Sequence, residues 1–178
     1  MEKNFTSAPL YGVLFGHIGS YFGLTVLMTE LPTYLTGVLH YSVEASGLLT
    51  GLPNILEALG GMMSSFVADK LISSKKLSVT TVRKIFQSIA MVGAGICVLA
   101  ITVSGCQASV IITLYSLLSY VNGFKYSGYN VTHVDMYPPL AGVLYGLTNS
   151  ISSLSGIIVP NMTGAFTVSG VSAFALAR

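Results

Sequence analysis

The stretch Gly128-Tyr-Asn-Val-Thr-His-Val-Asp-Met-Tyr-Pro-Pro-Leu-Ala-Gly-Val-Leu-Tyr-Gly-Leu-Thr-Asn149 gathers Asn130, His133, Asp135, a double proline and a second asparagine into one short segment. Pro138 and Pro139 cannot donate to a helical ladder, and the residue before a proline is pushed out of the helical region. The stretch therefore predicts a helix hairpin, with His133 and Asp135 at its mouth and Asn149 deeper along the returning helix. What surrounds it is apolar. Only 8% of the 178 residues are charged and 52% are hydrophobic, against roughly 25% charged in an ordinary soluble domain. The mean hydropathy is +0.75.

This composition predicts an all-α, multi-pass integral membrane protein, for which the useful unit of length is a span of about 20 apolar residues. Five such runs can be placed, at about residues 10–29, 45–68, 85–104, 109–129 and 140–159, leaving no room for a large aqueous domain. The net charge of +2 is too small to suggest nucleic acid, but Lys70, Lys75, Lys76, Arg83 and Lys84 share one short polar segment. Short loops rich in Lys and Arg stay cytoplasmic, so this loop and the N-terminus are expected on the cytoplasmic side. The first run lacks a small-residue cleavage site and reads as a retained span. Cys97 and Cys106 read as unpaired packing residues.

Taken in order, the first run carries Gly12/Gly16 and Gly19/Gly23 at the spacing that lets helices approach closely in lipid. His17 is its one Asp, Glu, Lys, Arg or His side chain, and such an ionisable group inside a span faces a bundle interior or a water-filled cavity. Pro32 is expected to close this helix. The second run holds Pro53, Glu57 and Gly60-Gly61. A charged Glu57 at bilayer depth costs a few kcal/mol on insertion scales. Lys125 in the fourth run has two readings: a long stem that snorkels to the interface, or a cation facing substrate or a carboxylate inside a cavity. The fifth run brings Gly142/Gly146, Asn149 and a serine-rich face, and is expected to stop at Pro160. The remaining tail is too short to span again. The sequons at Asn4, Asn130 and Asn161 are expected to stay unmodified, lying inside, within or too close to the membrane.

The chain has no Gly-x-x-x-x-Gly-Lys-Ser/Thr, Cys-x-x-Cys, His-Glu-x-x-His or Gly-x-Ser-x-Gly, so nothing points to phosphate-loop, redox, zinc or serine-nucleophile chemistry. His133 with Asp135 is two ligands short of a closed metal site. The live classes are transport and a structural membrane role, not catalysis.

Several separated motifs then recur in order: Glu30-Leu-Pro-Thr-Tyr-Leu, Gly51-Leu-Pro, Ala68-Asp69, Val82-Arg83-Lys84, Gly128-Tyr-Asn-Val-Thr-His-Val-Asp and Ala141-Gly-Val-Leu-Tyr-Gly-Leu-Thr-Asn. Together they resemble the second half of the anion/phosphate cotransporter family of the major facilitator superfamily, the family of sialin, vesicular glutamate transporters and sodium–phosphate cotransporters. The resemblance implies that residues 1–166 form a partial C-terminal bundle, helices seven to eleven of twelve, and that residues 167–178 are a tail outside the family pattern. It implies symport of an organic anion or phosphate by alternating access, driven by a proton or sodium gradient or by the membrane potential. No cofactor is implied beyond such a coupling ion.

On this reading the substrate-cavity candidates are His17, Tyr21, Glu57, Lys125, Asn130 and Asn149, and the gating candidates are Asp69, Lys70, Arg83, His133 and Asp135. A carboxylate at position 69 can accept hydrogen bonds from a neighbouring helix N-terminus or a basic residue and hold a gate shut. The pattern also departs from the family. Ser20 stands where vesicular glutamate transporters carry an arginine, Glu57 and Lys125 are not the family's residues, and Tyr137-Pro138-Pro139-Leu140 replaces its Ala-Pro-x-Tyr.

The implied partners are membrane lipids, a small anion, and a missing N-terminal half or a full-length paralogue. The implied location is the plasma membrane or a lysosomal or vesicular membrane. The alternative is a non-transporting helix-packing or regulatory membrane protein. If Asp69 belongs to a gate, Asp69→Asn in a full-length parent is expected to change the transport rate more than the substrate KM, which initial-rate uptake against substrate concentration measures.

Overall fold

A computed structural model describes residues 8–37, 40–104 and 107–176. The N-terminal residues with Asn4, Cys106, and the side chains beyond 166 lie outside the described set. The described chain is helical throughout: α1 (Ala8–Gly37), α2 (Val43–Ser73), α3 (Val79–Val103), α4 (Ala108–Asn122), a 3₁₀ turn (Gly123–Tyr126), α5 (Tyr129–Met136), a second 3₁₀ turn (Pro138–Leu140), α6 (Ala141–Ser152) and α7 (Ser155–Leu176). The double proline sits where the hairpin reading expects a break, and α5 and α6 pack on each other across it.

Two starts are set by hydroxyl caps. Ser42 accepts from the Ala45 N–H and Ser78 from the Thr81 N–H, both at 3.2 Å, satisfying donors that the first helical turn leaves free. Three helical segments are long and apolar enough to cross a membrane: Ala8–Gly37, Val79–Val103 and Pro138–Phe166. The other two expected runs also fold as helix, but differently. α2 is 31 residues long and carries Glu44, Asn54, Glu57, Asp69 and Lys70, which lower its hydropathy. α4 stops after 15 residues.

Four expectations are corrected. Pro32 does not close α1, which runs on to Gly37. The bond lost there is the one to the Met28 carbonyl, a loss that membrane helices tolerate at proline. Pro160 likewise sits inside α7. The fifth run breaks earlier, at 153–154, where Ser152, Ser153 and Ser155 hydroxyls bond the carbonyls of Thr148, Asn149 and Ser152. Such local bonding competes with the helical ladder and bends it. The fourth run is not one helix to residue 129 but changes to 3₁₀ at Gly123. Finally, the small-residue stripe on α1 is only half used: Gly16 and Gly19 approach Gln87 and Met91 of α3, whereas Gly12 and Gly23 meet nothing within 4 Å.

The closest backbone approach lies between α2 and the end of α4. A methyl at Gly60 would overlap the Tyr120 carbonyl, and one at Gly123 would overlap the Glu57 carbonyl. Only hydrogen side chains allow this crossing. Around it, α4 packs against α2 and α3, and α1 packs against α6 and α7. Two small apolar clusters fill the interior: Leu31, Leu35 and Tyr115, and Ala68, Val82 and Phe86. Large side chains such as Phe15, Leu48, Phe66, Leu99 and Val103 stay exposed, the arrangement of a bundle whose solvent is hydrocarbon rather than water.

The crossing is testable by substitution. Gly60→Ala and Gly123→Ala are each expected to lower the thermal midpoint of the detergent-solubilised chain by several degrees, following an overpacking cost of about 1–3 kcal/mol. Gly23→Ala, into open space, should leave it unchanged.

Candidate functional site

The tight crossing brings the 3₁₀ turn against α2. Its consequence is an ion pair: Lys125 Nζ lies 2.7 Å from Glu57 Oε1. Both residues are buried, at 4% and 8% exposure. Tyr126 Oη donates to the same Glu57 oxygen at 3.3 Å, and the Lys125 ammonium sits 5.4 Å from the centre of the Tyr126 ring. The snorkelling reading of Lys125 is thereby overturned. The 3₁₀ turn directs this side chain inward, where a carboxylate compensates its charge, and a long stem reaching for the interface would leave Glu57 buried and unpaired.

Glu57 lies on the border of two concavities. One, of about 270 Å³, is walled by Leu31, Pro32, Thr50, Pro53, Tyr115 and Ser119 among others. The second is an open cleft of about 710 Å³ between Leu24 and Met28 of α1, Asn54, Glu57, Gly61 and Ser65 of α2, and Tyr126. A third, about 320 Å³ and mostly apolar, lies between α1, α3 and α4 and includes Ser20. Among the substrate-cavity candidates only Glu57 lines any of the three. Lys125 stands directly behind it.

A second polar cluster joins α1, α5 and α6. His17 Nδ1 is 3.0 Å and His133 Nε2 2.9 Å from Thr148 Oγ1, and His133 Nδ1 is 3.2 Å from the Asn130 carbonyl. A carbonyl only accepts, so His133 carries its proton on Nδ1. The one proton of the Thr148 hydroxyl is shared between His133 Nε2 and the Tyr145 carbonyl, which lies 3.1 Å away, and its oxygen accepts from His17 Nδ1–H. His17 Nε2 is left as an acceptor, and it has no hydrogen-bond partner.

The rings of Tyr21, Tyr129 and Tyr145 stand 5.2, 4.7 and 5.4 Å from that of His17. His133, expected at the mouth of the hairpin, is buried, its ring 6.1 Å from that of His17. Asn149, the deeper residue expected from sequence, is half-buried, and its neighbour Thr148 makes the contact. Asn130 contributes its backbone carbonyl, while its side-chain oxygen is buried without a partner.

A third set ties α2 and α3 to the residue just after the 3₁₀ turn and to the end of α5. Arg83 Nε lies 2.7 Å from Asp135 Oδ2, and Arg83 Nη1 donates to the Ser127 carbonyl at 3.2 Å. The Ser127 hydroxyl is within 3.0 Å of Ser64 and 3.2 Å of Ser65. Arg83 and Asp135, both gating candidates, thus meet. Asp69 and Lys70 do not join them: both are exposed, no ion pair links Asp69 to a described residue, and Lys70 lies 6.0 Å from the Phe66 ring. Among the described residues no three His, Cys, Asp or Glu side chains converge as metal ligands.

Thr148, Ser127 and Tyr126 were absent from the sequence candidates. Tyr126 adjoins Lys125, and the run Ser150, Ser152, Ser153, Ser155 marked the polar side of the helix that bears Thr148. Serine and threonine are too common in membrane helices for their spacing alone to select these members.

The fold and its polar wall define a multi-pass helical membrane protein with charged chemistry directed at an open cleft. Its residues 2–160 match the sequence profile of the Major Facilitator Superfamily. The chain is 39% identical over 158 residues to a Drosophila ananassae protein named "Putative inorganic phosphate cotransporter", covering 89% of this chain and 33% of that one. It is 30% identical over 161 residues to sialin of Homo sapiens, 90% of this chain and 32% of sialin. It is 31% identical over 166 residues to the human sodium-dependent phosphate transport protein 3, 93% of this chain and 38% of that one. The chain belongs to the Major Facilitator Superfamily, and it spans about a third of the length of these relatives.

The threonine bridge makes a separable prediction. Thr148→Val removes the hydroxyl from both histidines and is expected to destabilise the chain by roughly 1 kcal/mol per lost hydrogen bond, more where a buried ring nitrogen is left unpaired. Thr148→Ser keeps the hydroxyl and should recover most of the loss, read as thermal midpoints in detergent.

Proposed function

We propose that this chain forms one wall of a secondary-active transporter that moves an organic anion or inorganic phosphate by alternating access, with a proton or sodium ion, or the membrane potential, as the driving force. The observation that supports it best is the Glu57–Lys125 pair. Among the described residues these are the only buried Asp, Glu, Lys or Arg side chains, and Glu57 borders the open cleft. A buried ion pair is poor as a stabilising device, since apolar residues of similar volume serve as well or better. Ionisable groups inside a membrane bundle instead mark substrate and ion pathways. The relatives' names, phosphate cotransporter and sialin, agree with an anionic substrate.

In this reading His17, Tyr21, Thr148 and His133 stiffen the packing of α1 on α5 and α6 behind the cleft. Arg83 with Asp135 holds α3 to α5 as a contact that breaks when the wall tilts. The wall works against a second helical half, and belongs in a plasma, lysosomal or vesicular membrane with its basic loop on the cytoplasmic side.

Reconstitution tests the reading. Proteoliposomes holding this chain together with the parts of the Drosophila ananassae relative that lie outside the matched third are expected to take up labelled phosphate or sialic acid several-fold faster than liposomes holding either piece alone. Equal background uptake in all three, with the two pieces shown to co-purify, would favour a non-transporting helix-packing protein.

A further inference from the structure

We propose that Glu57 occupies an oxyanion site formed by Lys125 and Tyr126 as a built-in substitute for the transported anion, and that a small oxyanion from the cleft takes its place when Glu57 takes up a proton. This rests on the reading of the chain as the wall of an anion transporter. Two donors on the 3₁₀ turn, the Lys125 ammonium at 2.7 Å and the Tyr126 hydroxyl at 3.3 Å, converge on one oxygen of Glu57. Any phosphate or carboxylate oxygen placed at that point meets the same ammonium and the same phenol. The oxygen now there is tethered to α2, a different element from its donors, so the contact can be exchanged without dismantling the turn.

Access follows the same order. Glu57 and Tyr126 line the open cleft and Lys125 lines none of the three concavities, so a solute reaches the carboxylate and the phenol first and the ammonium only when the carboxylate has given way. The cleft, about 710 Å³, is of the size that takes small molecules, about 300–1,000 Å³.

Charge then makes the exchange strict. With the pair closed the site is neutral. A proton alone would leave Lys125 uncompensated in a low-dielectric bundle, and an anion alone would set two negative groups against one ammonium. Proton and anion together restore neutrality: the Glu57 carboxylate and the proton form a carboxylic acid, the Lys125 ammonium keeps its protons, and a singly charged anion replaces the carboxylate beside it. The only covalent bond made is O–H, and the site's charge is unchanged.

Among the described residues no second carboxylate pairs with Lys125. The described titratable groups that the neighbouring elements bring toward the pair include His17 and Tyr21 on α1, Tyr115 and Tyr120 on α4, and Lys125 and Tyr126 themselves. Tyr129 and Tyr145 stand behind them on α5 and α6. Tyr120 Oη is bonded to Met63 Sδ. On α3, Arg83 is held by Asp135 and Ser127.

The test uses the whole chain in lipid nanodiscs, with inorganic phosphate as the probe and sialic acid in a second arm. Anion binding is measured by titration across mildly acid to mildly alkaline pH, alongside the infrared difference spectrum on anion addition. The wild type is expected to show a protonated-carboxyl band that appears with either anion. Affinity for sialic acid, whose own carboxylate stays ionised, should fall about tenfold per pH unit in the alkaline limb, as one linked proton requires.

Glu57→Gln should lose the band and the pH dependence while keeping affinity. Lys125→Gln should lose binding, and Lys125→Arg should restore it, which separates loss of the cation from loss of fold. The proposal is overturned if Glu57→Gln keeps the band or the pH dependence, if Lys125→Gln binds normally, or if neither anion binds the wild type at any pH. Binding is read on this chain alone and uptake only on the reconstituted pair, so a failed site and a failed transporter give different results.

Discussion

A carboxylate and an ammonium cannot be left separately inside a hydrocarbon-embedded bundle, and bringing them to 2.7 Å sets demands on the backbone around them. Glu57 is fixed in the middle of α2 and Lys125 follows α4, so the two helices have to cross closely enough for a lysine on a short turn to reach. The glycines at 60 and 123 permit that crossing, because a methyl at either would strike the opposing carbonyl. The change from α-helix to 3₁₀ at Gly123 then rotates Lys125 toward α2. Charge neutralisation, glycine placement and the irregular turn are thus one structural fact seen at three levels.

The other polar sets extend this crossing to the rest of the bundle. Ser64 and Ser65, one turn beyond Gly60-Gly61, reach Ser127 just past the 3₁₀ turn. The carbonyl of Ser127 in turn accepts from Arg83, which pairs with Asp135 at the end of α5. On the other side of α5, His133 meets Thr148 and through it His17. α5 is only eight residues long, too short to be held by apolar area in a medium where helices gain little from burying it. Hydrogen bonds on two of its sides hold it instead, and through it α1 and α6 are linked to α2 and α3.

How much of this could be read beforehand depends on what each residue announces. Charge announces itself. Eight percent charged residues left few candidates, so Glu57, Lys125, Arg83 and Asp135 were all singled out, and the helical membrane class followed from composition. Their pairings were not legible, because Lys125 reaches Glu57 only through a 3₁₀ turn that the apolar pattern of 109–129 conceals. Proline misled twice. At 32 and 160 the chain reads as broken, whereas both prolines sit inside continuous helices. The true break at 153–154 comes from three serines whose spacing resembles an ordinary polar face. Thr148 was invisible beside Asn149, since a threonine becomes notable only once two histidines are seen to share its hydroxyl.

The irregular backbone is itself informative. A bilayer offers no water to backbone groups released from a helix, so non-helical segments at membrane depth persist only where protein covers them or a cavity hydrates them. The interruption at 123–126 is covered: Gly123 is buried against α2, and the turn's own residues supply the donors to Glu57. That turn also places Tyr126 on the cleft. A continuous helix through 123–126 would have satisfied the same backbone groups more simply, but it would have sent the 125 side chain along a different face of α4. The interruption is the geometric condition for putting a cation behind a carboxylate at the wall of an open cleft. An arrangement so costly to build for packing alone fits a site where the carboxylate is meant to be displaced.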